Sequence, residues 1–178
     1  MSEEALVQKL KNTIRSFPDF PKNGILFWDV MPVLQDASLM HELCDFIAEK
    51  FRTLNLDAVA ALEARGFLFG PQVAIKLGLP FVPIRKAGKL PGEVHTMEYS
   101  KEYGKDKLQI QKGILPPNAK VAIIDDLLAT GGTLAAACQL IKNAGGSVDH
   151  CLCLIELKDL NGRKFLPETI TFESILSL

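Results

Sequence analysis

Two adjacent carboxylates, Asp125 and Asp126, stand just upstream of the string Thr130-Gly131-Gly132-Thr133. The string combines small side chains with a permissive backbone and opens an apolar repeat of Leu134, Ala137, Cys138 and Ile141, so it reads as a turn at a helix N-terminus. Unpaired N–H groups and the helix dipole hold an anion at such a place, and Ala129 to Thr133 therefore reads as a phosphate cradle. Carboxylates beside a cradle repel the same phosphate unless they face hydroxyls or a cation carried by the same ligand. A sugar phosphate meets both demands. The plainer alternative is that the acids end a strand and cap a helix. No lysine follows the glycines as in a Walker loop, and the Gly-x-Gly-x-x-Gly spacing of dinucleotide sites is absent.

Two further groups of residues can serve a phosphorylated ligand. Glu63-Ala64-Arg65-Gly66 follows the apolar run Ala58 to Leu62. Arg65 offers a forked cation suited to pyrophosphate, and Gly66 permits close backbone approach. Arg85, Lys86 and Lys89 follow Phe81-Val82-Pro83-Ile84. Such a trio is often a wet surface loop, but at a strand end it can neutralise a pyrophosphate.

Elements must bring these groups together. Val121 to Ile124, Ala58 to Leu62, Phe81 to Ile84 and Val148 to Ile155 read as buried strands, with Pro83 marking an edge or a strand end. Leu6, Leu10, Ile14 and Phe17 predict a helix over residues 3–16; Leu39, Leu43, Phe46, Ile47 and Phe51 predict a second, with Asp36 as its N-cap. Phe67 to Leu77 predicts a third, closed by Gly78. Residues 17–24 read as a turn-rich crossing into an extended flap, Ile25 to Trp28, and residues 90–107, rich in glycine and charge, as a long mobile hairpin-like lid loop returning through Leu108 and Ile110. The tail, with Phe165, Ile170, Phe172 and Ile175, is expected to complete the sheet and a dimer surface. Acidic and basic loops at the carboxyl ends of strands predict an α/β fold: a central, mostly parallel sheet flanked by helices, with a small N-terminal hood (residues 17–34) and a flexible lid, in one domain spanning 1–178.

Composition sets outer bounds. A chain of 178 residues, 48% hydrophobic, buries one core. A net charge of −1, from 20 basic and 21 acidic residues, excludes bulk attraction to nucleic acid or anionic membrane. Without an apolar run of membrane-spanning length or a signal-peptide pattern, a cytoplasmic protein is expected. The four cysteines lack a Cys-x-x-Cys spacing and His41, His95 and His150 are scattered, so neither disulfide nor zinc is expected.

Four apolar residues, two acids and Ala129-Thr130-Gly131-Gly132-Thr133 together resemble the phosphoribosyl-pyrophosphate motif of the type I phosphoribosyltransferases. With Glu63 to Gly70 and Arg85 to Gly92 in the same order upstream, the chain is similar over nearly its whole length to the adenine-using branch of that family. The resemblance implies transfer of a 5-phosphoribosyl group from phosphoribosyl pyrophosphate to adenine, giving AMP and pyrophosphate in purine salvage, with Mg²⁺ as cofactor and a homodimeric assembly. It implies that Arg65, Arg85, Lys86, Lys89 and Tyr103 serve the pyrophosphate, and that Asp125 and Asp126 hold the ribose hydroxyls. Ala129, Thr130, Gly131, Gly132 and Thr133 would hold the 5′-phosphate, and the metal would be held mainly through substrate, with Asp125 and Asp126 as candidate ligands. Leu26, Phe27, Trp28 and Arg65 would line the base, and Glu102 would shuttle the purine proton, so that Glu102 and Arg65 carry the catalysis.

The chain leaves the family pattern at one place. Where the family carries Phe-Arg-Asp, this sequence has Phe27-Trp28-Asp29, and an indole supplies neither the charge nor the forked donors of a guanidinium. That departure keeps open a paralogue that binds phosphoribosyl pyrophosphate or AMP as a sensor or partner-binding module without catalysis. A sister transferase for another base is the remaining alternative, against which the Glu63-Ala64-Arg65-Gly66 string and the Leu26-Phe27 hood argue.

Overall fold

A helix of mixed charge and a short hairpin begin the chain in a computed structural model that describes residues 2–101 and 104–178. Helix α1 (Glu3–Thr13) is capped by Ser2, whose side chain accepts from the Ala5 amide, and it buries Leu6 and Leu10. It stops short of the expected end because Ile14 is already extended, although its spacing continues the helical repeat. Strands β1 (Arg15–Pro18) and β2 (Leu26–Asp29) then pair antiparallel, with Phe17 opposite Phe27 and Ser16 opposite Trp28. β1 falls where helix and turn were expected. A 3₁₀ turn at Met31–Gln35 leads into α2 (Ala37–Phe51), whose Leu39 amide bonds to Asp36 Oδ1, the expected cap.

These elements make up the first of two compact units, Met1–Lys50, which extends past the hood expected at 17–34; the second is Phe51–Leu178. The second unit is built on a seven-stranded sheet of β3 (Ala58–Leu62), β4 (Phe81–Lys86), β5 (Val94–Lys101), β6 (Gly104–Gln111), β7 (Lys120–Leu128), β8 (Ser147–Glu156) and β9 (Thr171–Ser177). The spatial order is β5-β6-β4-β3-β7-β8-β9. The run from β4 to β9 is parallel, as expected for strands such as β3 whose residues are all buried. β4 meets β6 only at Arg85 and Lys86, so Pro83 lies where β4 has β3 alone as a neighbour, in keeping with its missing N–H.

Helices α3 (Gly70–Leu77) and α4 (Gly132–Asn143) are the crossovers after β3 and β7. α3 ends at Gly78, φ +69°, as the sequence indicates. The tail completes the sheet as β9, parallel to β8.

Two sequence expectations need adjusting. The stretch expected as a hairpin-like lid loop, 90–107, does form a hairpin, β5–β6, with more regular pairing than a loop, from Val94↔Gln111 to Lys101↔Gly104. Its alternation of Met97 and Tyr99 with exposed Thr96 and Glu98 is that of a half-buried strand, and glycine and charge at its ends masked it. The acids also lie inside β7, which runs on through Asp125 and Asp126 to Leu128 instead of ending before them. Pairing with β8 sustains the strand there, with Asp125 opposite Cys153 and Leu127 opposite Ile155.

Candidate active site

The site follows from a mismatch in strand length. β3 pairs with β7 only as far as Ala61↔Ile124, whereas β7 continues to Leu128 along β8. Beyond Ile124 the β3 side of β7 has no strand beside it, and the turn after β3 fills the step. A Cβ on Gly66 would lie 2.9 Å from the Ile124 carbonyl oxygen and 3.1 Å from Asp125 Oδ1, so only glycine lets this turn reach the strand. The peptide between Glu63 and Ala64 in the same turn is cis.

A cleft of about 250 Å³ results, and Glu63, Ala64, Arg65, Lys86, Asp125 and Asp126 line one part of it. Ala129, Thr130, Gly131 and Thr133 line another, with Tyr99 and Leu108 of the hairpin. Gly131, at φ +85°, is the N-cap of α4, and no side chain caps that helix. Backbone donors of its first turn are therefore left to a ligand, the arrangement that binds phosphate.

Charge in the cleft is paired but not neutralised. Arg65 Nε lies 2.9 Å from Asp126 Oδ2, an ion pair without hydrogen-bond alignment; among the described residues that buried oxygen accepts no hydrogen bond. Burial raises the Asp126 carboxyl above its ordinary value, against the pull of Arg65. Asp125 is pushed up further, by burial and then by the Asp126 charge, although its side chain keeps some surface in the cleft. Two carboxylates held in this way favour hydroxyl donors or a cation.

Arg85 sits at the margin. Its Nε and Nη2 donate to the Glu63 carboxylate at 3.0 and 3.2 Å, and Nη1 donates to the Lys89 carbonyl at 3.0 Å. Arg85 holds the Glu63 carboxyl below its usual range. Of the cations named from sequence, Arg65 and Lys86 line the cleft, whereas Arg85 and Lys89 brace its rim.

Known proteins resemble this chain closely. Residues 34–173 match the model of the phosphoribosyl transferase domain. An adenine phosphoribosyltransferase of Caenorhabditis elegans is 55% identical over 162 residues, covering 90% of this chain and 88% of its own. The chain belongs to the adenine phosphoribosyltransferase family. The crystal structure of the adenine phosphoribosyltransferase from Thermoanaerobacter pseudethanolicus superposes with a TM-score of 0.93 at 45% identity, over 97% of this chain and 99% of that one. That of the Saccharomyces cerevisiae enzyme, complexed with adenine and an imino-altritol bisphosphate, superposes at 0.92 with 40% identity, over 97% and 99%.

The residues that this family resemblance assigns to the base lie in the first unit. Leu26, Phe27 and Trp28 form β2, where strand alternation turns Phe27 and Trp28 to opposite faces. Phe20 meets Phe27 edge to face, with ring centroids 5.0 Å apart. Asp29 is fixed by Arg15, Nη2 to Oδ2 2.9 Å. Glu102 and Tyr103 lie outside the described residues.

Three features escaped the sequence reading. Tyr99 reaches the cleft from β5, which strand alternation in 94–99 could have signalled. Glu63 binds Arg85 because they follow Leu62 and Ile84, which are opposite each other on adjacent strands; equal strand ends were the available clue. The segment after β8, with Gly162 and Arg163, packs behind the cradle, and no local motif marks it.

Proposed function

We propose that this protein transfers the 5-phosphoribosyl group of phosphoribosyl pyrophosphate to adenine, releasing pyrophosphate and forming AMP, a step of purine salvage. One observation carries the reading: the overrun of β7 sets an acid pair beside an uncapped helix N-terminus and opposite Arg65. A ligand with a phosphate, vicinal hydroxyls and a second anionic group matches those three demands.

Cleavage of the bond between ribose C1 and the pyrophosphate oxygen builds positive charge on the sugar and negative charge on the leaving group. Ala129, Thr130, Gly131, Gly132 and Thr133 bind the 5′-phosphate through amides and hydroxyls, which fixes the sugar. Asp125 and Asp126 accept from the ribose hydroxyls, and their charge steadies the electron-poor ring. Arg65 and Lys86 receive the departing pyrophosphate, with Lys89 and Arg85 at the rim. Phe27 stacks on the adenine with Leu26 and Trp28 beside it, and Glu102 takes the purine proton. The lid expected at residues 90–107, which carries Tyr103, shields the reaction from water.

Mg²⁺ fits the donor set as a substrate-borne ion. Among the described residues no cluster of three or more metal-ligating side chains exists, and Asp126 keeps an oxygen that accepts no hydrogen bond. Asp125 and Asp126 would share such an ion with the substrate, and when bound it supplies charge neutralisation of the pyrophosphate.

The reading extends to a cytoplasmic homodimer. Exposed Phe17, Phe20, Ile25 and Leu26 in the first unit and Ile75 in the second support a covered surface, and four free, buried cysteines suit a reducing compartment. Among the described residues no helix is long and apolar enough to cross a membrane.

The test is an incubation with Mg²⁺, phosphoribosyl pyrophosphate and, in turn, adenine, hypoxanthine, guanine and orotate, with nucleotides resolved by chromatography. AMP from adenine and no product from the others is expected. A product from another base, with none from adenine, would replace the substrate assignment.

A further inference from the structure

The cradle has a support that neither its own sequence nor β7 supplies. A Cβ built on Gly131 would collide with the Gly162 carbonyl oxygen and lie 2.9 Å from the carbonyl carbon. Built on Gly162, it would collide with the Ala129 carbonyl oxygen and lie 3.0 Å from the Gly131 nitrogen and 3.1 Å from Leu128 Cγ. Two backbones are thus in direct contact, with Gly162 lying against the Ala129 to Gly131 stretch, which the proposed function reads as part of the phosphate cradle.

Gly162 belongs to a segment with little regular structure. Two 3₁₀ turns, Lys158–Leu160 and Gly162–Phe165, are joined by Asn161 at φ +49°. Backbone bonds tie the start of the segment, with Leu157 N donating to the Leu128 carbonyl at 3.0 Å and Lys158 N to the Leu178 carbonyl at 2.9 Å, whereas bonds such as Leu166 N to the Arg163 carbonyl shape the second turn and leave it to be tied to the sheet by other means. A side chain makes that tie. Arg163 donates from Nε to Glu156 Oε1 at 2.5 Å and from Nη2 to Oε2 at 2.6 Å, and its guanidinium lies 4.8 Å over the Phe172 ring. Glu156, the last residue of β8, is 4% exposed, and Ser174 of β9 donates to its Oε2 at 2.8 Å. A buried carboxylate with three donors is a rigid anchor, and a two-point fork fixes the orientation of Arg163 as well as its distance.

We infer that Glu156 and Arg163 are positioning residues for the 5′-phosphate cradle, acting through Gly162, whose backbone they hold against Ala129 and Gly131. The inference rests on the reading of Ala129 to Thr133 as the phosphate site. Neither side chain touches substrate; each sets the backing against which the cradle amides converge. Displacing a binding loop by about 1 Å costs up to ~100-fold in turnover, so a small shift of Gly162 is enough to register.

Calorimetric titration with ribose 5-phosphate and steady-state kinetics test this in wild type, Arg163→Gln, Glu156→Gln, Gly162→Ala and the Glu156→Gln, Arg163→Gln double variant, with Thr133→Ala as a control on the cradle. Arg163 is half exposed, so Arg163→Gln is expected to fold even where Gly162→Ala does not. Each folded variant should weaken ribose 5-phosphate binding about 3- to 30-fold and raise KM for phosphoribosyl pyrophosphate in parallel, with KM for adenine unchanged. The Glu156→Gln, Arg163→Gln double variant should lose no more than the worse single one, because both act through one fork. A folded Arg163→Gln protein with wild-type affinity for ribose 5-phosphate overturns the inference. So does an equal rise in both KM values, which marks general loosening. If Thr133→Ala leaves ribose 5-phosphate binding intact, the cradle reading falls first and the inference with it.

Discussion

Arg65 Nε and Asp126 Oδ2 stand 2.9 Å apart, so a cation suited to pyrophosphate and a carboxylate suited to ribose form one unit in the cleft. The turn after β3 and the overrun of β7 are thereby coupled, and a ligand spanning both must redistribute the pair.

Arg65→Lys should therefore damage the enzyme although charge is kept. An ammonium cannot face Asp126 and a pyrophosphate with separate, fixed N–H groups. One lost charge-assisted hydrogen bond is worth about 1.5–3 kcal/mol, roughly 10- to 150-fold in kcat/KM for phosphoribosyl pyrophosphate. Steady-state kinetics with either substrate varied give the answer, and wild-type turnover would reduce Arg65 to a generic cation.

Asp125 sets activity against stability. Its carboxyl is raised well above 3.8 by burial and by Asp126, so protonation favours the folded state. For a raised carboxyl the contribution is complete below the unfolded value and is lost as pH rises through the folded one. Asp125→Asn should thus raise Tm at neutral pH by about 2–4 °C, the effect of ~1 kcal/mol in a chain of this size, while activity collapses. The gain should vanish at pH below 3.8. A destabilised variant at neutral pH would contradict the electrostatic account.

The acid pair and the glycine turn that opens α4 were legible because chemistry and spacing coincide in one short string. Strand limits around them were not. Asp125 and Asp126 look like strand terminators, and only pairing with β8 carries β7 past them. The hairpin was legible as a return through Leu108 and Ile110, but the regularity of β5 and β6 was not, because their ends are polar and their inward residues, Met97, Tyr99, Leu108 and Ile110, are divided between two strands. The pairing of Arg85 with Glu63 was not legible, because Glu63 is remote in sequence and becomes a neighbour only through parallel register. Gly162 gives no local sign at all; its role arises from contact with Gly131.

Glu156 behaves oppositely to Asp125. Arg163 and Ser174 hold its carboxyl below 4.5 despite burial. Its stabilisation is present above the unfolded value and is lost as pH falls through the folded one. Denaturant melts should show Glu156→Gln less stable than wild type by about 1–2 kcal/mol at neutral pH, at the modest end because Arg163 is half exposed. The gap should close as pH falls past 4.5. A gap independent of pH would mean that packing, not charge, anchors this segment.

Trp28→Arg should change adenine turnover only a few-fold. Strand alternation in β2 turns residue 28 away from the face that carries Phe27, on whose phenyl ring the proposed base stacking depends. Kinetics with adenine varied decide it. An inert wild type whose pyrophosphate release is restored by the substitution would identify a sensor that has lost catalysis.

The central claim meets its most direct test in the stoichiometry of one reaction. With Mg²⁺, phosphoribosyl pyrophosphate and adenine, wild-type protein should release pyrophosphate and form AMP in equal amounts, with neither product when adenine is omitted. Tight binding of phosphoribosyl pyrophosphate and adenine with no pyrophosphate released would contradict the claim.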